Sequence, residues 1–421
     1  MTDVIYQYYF HAVGQGLFAA GHLRDGQNQR RFNWVFDCGT SSRRSYLQRE
    51  LGLFRNGMAA DPIHLFCLSH FDEDHINGAR ELLSAQRVDT LVMPYFPLAE
   101  RLLIALGTPD LSDEYLSFLV DPAGYMYATA GDNLGEVIFI TGGNPPANEI
   151  EEETPAVDPE NDGWDFRPPN TKVREAPEAE DLHGVSEQTS WKTVRVYSHE
   201  KPFTAGNFWE FMFYNEHIPD TKAAALRQEV ADIVGKHRRN DGSFDGVELL
   251  REIKPLYARK FGKSGADKNK ISLVVYSGPV HRPKIRGFEN YRTLIPVGMP
   301  SPYRPDWRPW LVTLPRKFQV SIGYFGDFPL TCIERVKKIR KHFGLNRWNR
   351  LEVIQVPHHG SEHSWYDCAS AEFSHHASVF SSARVSKNHP SQSVLDDLAT
   401  HGVVLVHELQ RAAFCGAVFF P

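Results

Sequence analysis

Apolar residues in the first third of the chain come in short runs that alternate with stretches of helical period. "NWVFDCGT" reads as a strand closing on Asp37 and a glycine turn, "RSYLQRELGLF" as an amphipathic helix, and "IHLFCLSH" as a buried strand ending at His70. "INGARELLSAQ" then predicts a helix, "TLVMPYF" a strand and "LAERLLIALG" a further helix. Strands and helices in this succession predict an α/β fold.

The pattern breaks across 142–189, where Pro, Glu and Asp dominate and buried-type residues are few. Such a composition does not offset the entropy of ordering, so this acidic segment is expected to be a flexible insertion. "KTVRVYS" and "NFWEFMFYN" read as strands, Lys222 to Phe261 as mostly helical, and "ISLVVYSG" as a buried strand. A second insertion, rich in Arg, Pro and aromatic residues, spans 281–317, with strands on both sides. Alternation returns through "IERVKKIRKHFG", "LEVIQVPHHGS", "ASVFSS", "SVLDDLATHG" and "VVLVHE". The expectation is one domain over 1–421 with two insertions.

Composition narrows the classes. A formal charge of −6 over 421 residues argues against a uniformly basic nucleic-acid binder, although a local basic face remains open. The five cysteines are scattered without a C-x-x-C pair, which disfavours a disulfide framework or a cysteine zinc cluster. The N-terminus lacks a basic segment followed by an apolar one, and no apolar run is long enough to cross a bilayer. A soluble, reduced, cytoplasmic protein without a membrane partner is expected.

Candidate chemistry gathers at strand ends. "CLSHFDEDHINGA" places His70, Asp72, Glu73, Asp74 and His75 within six positions behind a strand, and three further apolar strands lead to Asp37, Asp327 and the pair His358 and His359. Strand ends along one edge of a layered α/β protein converge on one crevice. His70 and Asp72 leave the strand end on the same side, and Asp74 and His75 follow where a helix begins. A segment of this kind can wrap two cations, which together activate a water and clamp a scissile group. Asp327 is the candidate bridge between them. Singly, each residue is commonly a hydrogen-bonded surface or packing group; an Asp-rich turn and helix cap would explain the first cluster but not "VPHHGSEHSW".

In their order along the chain, H-x-D-x-D-H after a strand, then G-D after a strand, then P-H-H-G-S resemble the metallo-β-lactamase fold superfamily, and within it the ComEC-like branch, the hydrolase domain of the competence DNA-uptake protein. "HAVGQGLFAAG", "VFDCGT", "NKISLVVYSG" and "NHPSQSVLDDLATHGVVLVHE" are similar to that branch's flanking segments. The resemblance implies a four-layer αββα sandwich with its metal site on one edge, and phosphodiester hydrolysis ahead of β-lactam hydrolysis. It implies two divalent metal ions, Zn or Mn: one at His70, Asp72 and Asp327, the second at Asp74, His75, His358 and the shared Asp327. The superfamily's commoner motif is H-x-H-x-D-H. Asp72 replaces its second His, and its mid-chain metal His has no counterpart, so the first position is oxygen-rich and suits harder ions.

Asp74, His70 and His359 are the candidate catalytic residues. Ser361 and His389 are candidates for substrate contact, and Asp37 for orienting a ligand His; hydrogen bonding or packing alone is the alternative for His359, Ser361, His389 and Asp37. His363, His375 and His376 read as surface or packing residues. The basic stretch with Lys337, Lys338, Arg340 and Lys341, and Trp348 nearby, is a candidate phosphate-backbone contact, against the commoner use of such charge as a solvated helix face. His281, Arg282, Lys284, Arg286, Arg292, Tyr303 and Arg304 are candidates for a substrate lid.

Three functions compete on these grounds. The first is a metal-dependent phosphodiesterase or nuclease acting on DNA or RNA. The second is a hydrolase of a lactone, thioester or phosphorylcholine-type ester, and the third is a non-catalytic member of a multi-protein system that binds partners through the insertions.

Overall fold

The computed structural model describes residues 3–25, 30–58, 61–96, 98–106, 112–142, 164–169, 193–206, 208–216, 229–230, 232–233, 236–237, 246–261, 272–280, 287–297, 312–313 and 320–419. Two sheets carry the architecture. The first holds ten strands in the spatial order β13 (Val312–Thr313), β12 (Gly287–Pro296), β18 (Gln410–Phe419), β1 (Asp3–Phe10), β2 (Phe18–Asp25), β3 (Arg31–Cys38), β4 (Ile63–Cys67), β5 (Val88–Pro94), β6 (Leu134–Thr141) and β8 (Thr193–Ser198). The second holds eight: β17 (Val403–Val406), β16 (Ala377–Ser381), β15 (Leu351–Gln355), β14 (Ser321–Tyr324), β11 (Val274–Pro279), β10 (Trp209–Tyr214), β9 (Phe203–Ala205) and β7 (Phe166–Arg167).

Three apolar cores separate four layers. Between the sheets, Tyr8, Trp34 and Phe36 of the first meet Trp209, Phe211 and Tyr324 of the second, all buried. The Phe36 and Tyr324 rings stack at 4.5 Å, and Trp34 Nε1 donates to the Tyr324 hydroxyl at 3.2 Å, so the one polar atom of each buried ring is satisfied. Each such side chain contributes roughly 1.5–3 kcal/mol by leaving water. On the outer face of the first sheet lie α1 (Arg44–Met58), α2 (Glu73–Ile76), α3 (Ala79–Ala85), α4 (Leu98–Leu106), α5 (Asp113–Val120) and α6 (Pro122–Ala130), over a core that includes Leu47, Leu82, Leu119 and Phe66. On the outer face of the second lies α8 (Ile333–Phe343), which follows α7 (Gly246–Phe261) in the chain; its Val336, Ile339 and Phe343 pack on Tyr276 and Ile354. The fold is a four-layer αββα sandwich, the architecture the metallo-β-lactamase resemblance implies.

Strand direction sets the site. β3, β4, β5, β6 and β8 run parallel, so the C-termini of β3 and β4 open on one edge. β14 and β15 are parallel in the facing sheet, and their C-termini lead directly to Asp327 and to His358 and His359. Sequence-distant groups meet because both sheets end there.

Part of the expected insertion at 281–317 is sheet. Residues 287–296 pair with β18 along all ten residues, which satisfies the backbone donors and acceptors that β18 would otherwise expose at an edge. His281, Arg282, Lys284, Arg286, Tyr303 and Arg304 lie outside the described residues, as does nearly all of 142–189. Among the described residues no helix is long and apolar enough to cross a membrane.

Candidate metal centre

Asp37 is the hub. It is the next-to-last residue of β3, in a left-handed conformation, φ 53°, fully buried, and its carboxylate turns toward the next strand end. Its Oδ1 accepts from the Ser69 amide at 2.6 Å, and its Oδ2 accepts from Ser69 Oγ at 2.7 Å and from His75 Nδ1 at 2.8 Å. Because the Ser69 hydroxyl donates to Asp37, its oxygen accepts from His70 Nδ1 at 2.8 Å. On the opposite wall, the Ser381 carbonyl accepts from His359 Nδ1 at 2.7 Å.

These contacts fix three tautomers. A carbonyl, a carboxylate and a hydroxyl already donating elsewhere each require the proton on Nδ1, so His70, His75 and His359 turn the Nε2 lone pair inward. His70 Nε2, His75 Nε2, His359 Nε2 and Asp327 Oδ1 are all buried without a hydrogen bond. Four such atoms facing one another are costly unless something binds them. Imidazole nitrogens and carboxylate oxygens are the donor set divalent cations take, so the residues present fit divalent metal.

Asp327 faces both clusters. Its Oδ1 lies 3.2 Å from His75 Nε2, while its Oδ2 lies 3.9 Å from His70 Nε2 and 3.7 Å from His358 Nε2. His70 Nε2 is also 4.0 Å from Asp72 Oδ2. On the other side, Asp74 Oδ2 is 3.3 Å from His359 Nε2, and Asp74, His75 and His359 offer ligand atoms within 4.8 Å of one another. Asp37, His70 and His75 also offer ligand atoms within 4.8 Å of one another, but the Asp37 oxygens are occupied by Ser69 and His75, so Asp37 orients the imidazoles.

The two histidines of the P-H-H turn thus separate, and the pairing differs from that implied by the sequence resemblance. His359 stands beside Asp74 and His75; His358 faces the Asp327 oxygen on the His70 side, with its Nδ1 against Ser364 Oγ at 2.8 Å. Adjacent left-handed residues, φ 49° and 56°, send the two rings apart. Gln355 holds the turn in place: its Oε1 accepts from the Phe325 and Gly326 amides, and its Nε2 donates to the Gly326 and Val356 carbonyls. Gly326 has φ 53°, and a Cβ there would lie 2.4 Å from Ser272 Oγ and 2.6 Å from Ser69 Oγ. Only glycine fits before Asp327.

Charge follows the geometry. Burial would raise Asp327, but the His75, His359 and His70 imidazoles hold it well below the usual carboxylate range. Asp74 is likewise pulled against burial, by the His359 contact and by His75, to about 2. Burial would lower His75 and His359, yet the facing carboxylates, Asp327 foremost, raise both. Asp72 is raised by burial and by its neighbours Asp74 and Asp327. Burial lowers His358 and His389. The facing carboxylates and the His75 and His359 imidazoles thus each favour the charged form of the other, and bound cations would take over that role at the Nε2 atoms and carboxylate oxygens.

The remaining candidates fall around this centre. His389 sits at the mouth, its ring 5.6 Å from that of His358 and 6.2 Å from that of His359. Ser361 is buried, and its Oγ accepts from the His363 amide at 3.3 Å, a local turn contact. His375 is buried, against Ser378 Oγ and stacked on His401. In α8, Lys338 is tied to Glu216 at 2.8 Å and Arg340 to Glu372 at 2.7 Å, while Lys337 and Lys341 are exposed. Ser69, Ser364, Ser381 and Gln355 carry no signal of their own in the sequence; only their places beside strand-end histidines could have pointed to them.

Comparison with known proteins bears on the first cluster. Residues 30–96 match the Metallo-beta-lactamase superfamily. That segment runs from β3 past β5 and contains Asp37, Ser69, His70, Asp72, Asp74 and His75. No curated protein sequence matches the chain. Among solved structures, the long form RNase Z from yeast aligns at 7% identity over 96% of this chain, with a TM-score of 0.33, and this chain spans 37% of that protein's length. Unliganded yeast PDE1 aligns at 8% identity over 99% of this chain and 100% of its own, with a TM-score of 0.40.

Proposed function

We propose that the chain is a metal-dependent hydrolase of phosphodiesters, a phosphodiesterase or nuclease with two divalent cations at the strand edge. The observation that carries this reading is the convergence of His70 Nε2, His75 Nε2, His359 Nε2 and Asp327 Oδ1, buried and without hydrogen bonds, beside Asp72 and Asp74. His70, Asp72 and Asp327 would hold one ion, with His358 facing it. Asp74, His75, His359 and the second oxygen of Asp327 would hold the other. When bound, two such cations supply Lewis acidity, bring a water toward ionisation at neutral pH and draw charge from phosphoryl oxygens. The carboxylates at Asp72 and Asp327 make the first position oxygen-rich, which favours manganese there over zinc.

The protein supplies orientation. Asp37 fixes His70 through Ser69 and fixes His75 directly, so one buried carboxylate sets ligands on both sides. His389 stands over the His358 and His359 rings, placed to pass a proton to a departing oxygen. Preference for a phosphodiester over a carboxylic ester rests on the ComEC-like motifs and on the exposed cations Lys337 and Lys341 of α8, a helix joined to the site edge where Arg335 lies over Phe328, the residue after Asp327.

The test is a substrate screen on manganese- or zinc-loaded protein, using single- and double-stranded DNA, RNA, a chromogenic phosphodiester, a lactone and a thioester. The expected result is diester hydrolysis that Asp74→Asn abolishes without loss of fold. Hydrolysis of the lactone or thioester alone would overturn the reading.

A further inference from the structure

The loop that joins β16 to α10 (Gln392–Asp397) is built from the site and returns to it. It leaves at Ser381, whose carbonyl holds His359, and comes back at His389, beside His358. Its backbone is pinned at both ends. The Ser382 amide donates to the Val406 carbonyl at 3.0 Å, and the Arg384 amide to Glu408 Oε2 at 2.9 Å; the Ser391 amide donates to the Gly360 carbonyl at 2.9 Å. Ser386 Oγ accepts from the His389 amide at 3.0 Å and closes the tip.

Between these anchors the side chains point to solvent. Arg384 and Lys387 are exposed, and neither has a carboxylate partner among the described residues. Val385, between them, is 90% exposed, more than any other large apolar side chain described. Leu409, 46% exposed, lies on the turn after β17, next to the Glu408 that holds the loop. The backbone is thus fixed while two cations and two apolar side chains stay open to solvent. Lys387 is two residues from His389, so their Cα atoms are within about 7 Å.

We propose that residues 384–387 are a grip for single-stranded nucleic acid beside the cleavage site. Arg384 and Lys387 hold phosphates neighbouring the scissile one, and Val385 packs on the face of an unpaired base. Cations that track the backbone supply the sequence-independent part of strand binding, and Val385 adds an apolar surface between them. The assignment rests on the phosphodiester reading of the site and names its substrate: an unpaired polynucleotide rather than a small diester.

The experiment compares the metal-loaded protein with the triple variant Arg384→Glu, Val385→Ser, Lys387→Glu on two substrates, a fluorescent single-stranded oligonucleotide and bis(4-nitrophenyl) phosphate. The loss in kcat/KM on the oligonucleotide should be at least tenfold larger than the loss on the small diester. The slope of log affinity against log salt should fall by about 1.4, since each single-strand phosphate contact contributes about 0.7. An unchanged oligonucleotide affinity, or equal losses on both substrates, would overturn the grip while leaving the phosphodiester reading in place. So would unaltered protein that partitions onto anionic vesicles and has no affinity for the oligonucleotide. If the unaltered protein hydrolyses neither diester, the underlying reading itself fails.

Discussion

A single buried carboxylate reaches histidines on both sides of the site. Asp37 sets His75 directly and His70 through Ser69, so Asp37→Asn should weaken metal binding about 10- to 100-fold, the usual cost of losing such a partner. Competition with a chromophoric chelator measures it, and wild-type affinity in the variant would remove Asp37 from this role. The histidines also fix a pH dependence. His75 is raised in the folded, metal-free protein by Asp327 and Asp37; its contribution to stability is therefore complete below the unfolded value of about 6.5 and is lost as pH rises through the folded one. Asp74, at about 2, contributes in the opposite sense, and that contribution is lost only in strong acid. Chelator-treated protein should melt at lower temperature as pH rises on the alkaline side, and metal-loaded protein should not, because its cations have already displaced the protons. Identical alkaline behaviour in both forms would contradict the arrangement. The acid and imidazole cluster was legible in the sequence because H-x-D-x-D-H concentrates it in six positions. The division of labour between His358 and His359 was not, since two adjacent left-handed residues decide it and the residue letters do not encode φ.

At the level of elements, buried ion pairs tie the second sheet to its outer layer. Arg347, in α9 (Leu345–Trp348), meets Glu210 of β10 through two hydrogen bonds of 2.8 and 2.9 Å, with both side chains buried. Arg347→Met removes both of these buried charge-assisted hydrogen bonds from the Glu210 carboxylate and should destabilise the protein by about 3–5 kcal/mol, whereas pairing it with Glu210→Gln should recover much of the loss. Denaturant unfolding of the single and double variants checks this, and a single variant as stable as the wild type would contradict it. Contacts of this kind divide the basic stretch: Lys338 and Arg340, like Arg347 beyond them, face carboxylates from distant strands and loops, whereas Lys337 and Lys341 are exposed. Periodicity identified β3, β4, β10, β11 and α8, whose apolar runs are continuous or cleanly amphipathic. It did not identify β12, because a strand that completes an edge is defined by the partner it pairs with.

Across the whole molecule, two sheets whose strands end at one edge bring together residues 37, 70–75, 327 and 358–359. That convergence was readable from four strand ends leading to polar groups; which oxygen faces which nitrogen depends on how the sheets sit against each other, and no local pattern carries that. At this edge we propose that phosphodiesters are hydrolysed with two cations bound. The most direct measurement is to titrate chelator-stripped protein with manganese while recording bound metal and hydrolysis of bis(4-nitrophenyl) phosphate in the same sample. The predicted result is turnover that rises steeply as the second equivalent binds, and Asp327→Ala protein that neither fills both positions nor turns over. Two ions bound per chain with no diester hydrolysis, or full loading and turnover in the Asp327→Ala protein, would contradict it.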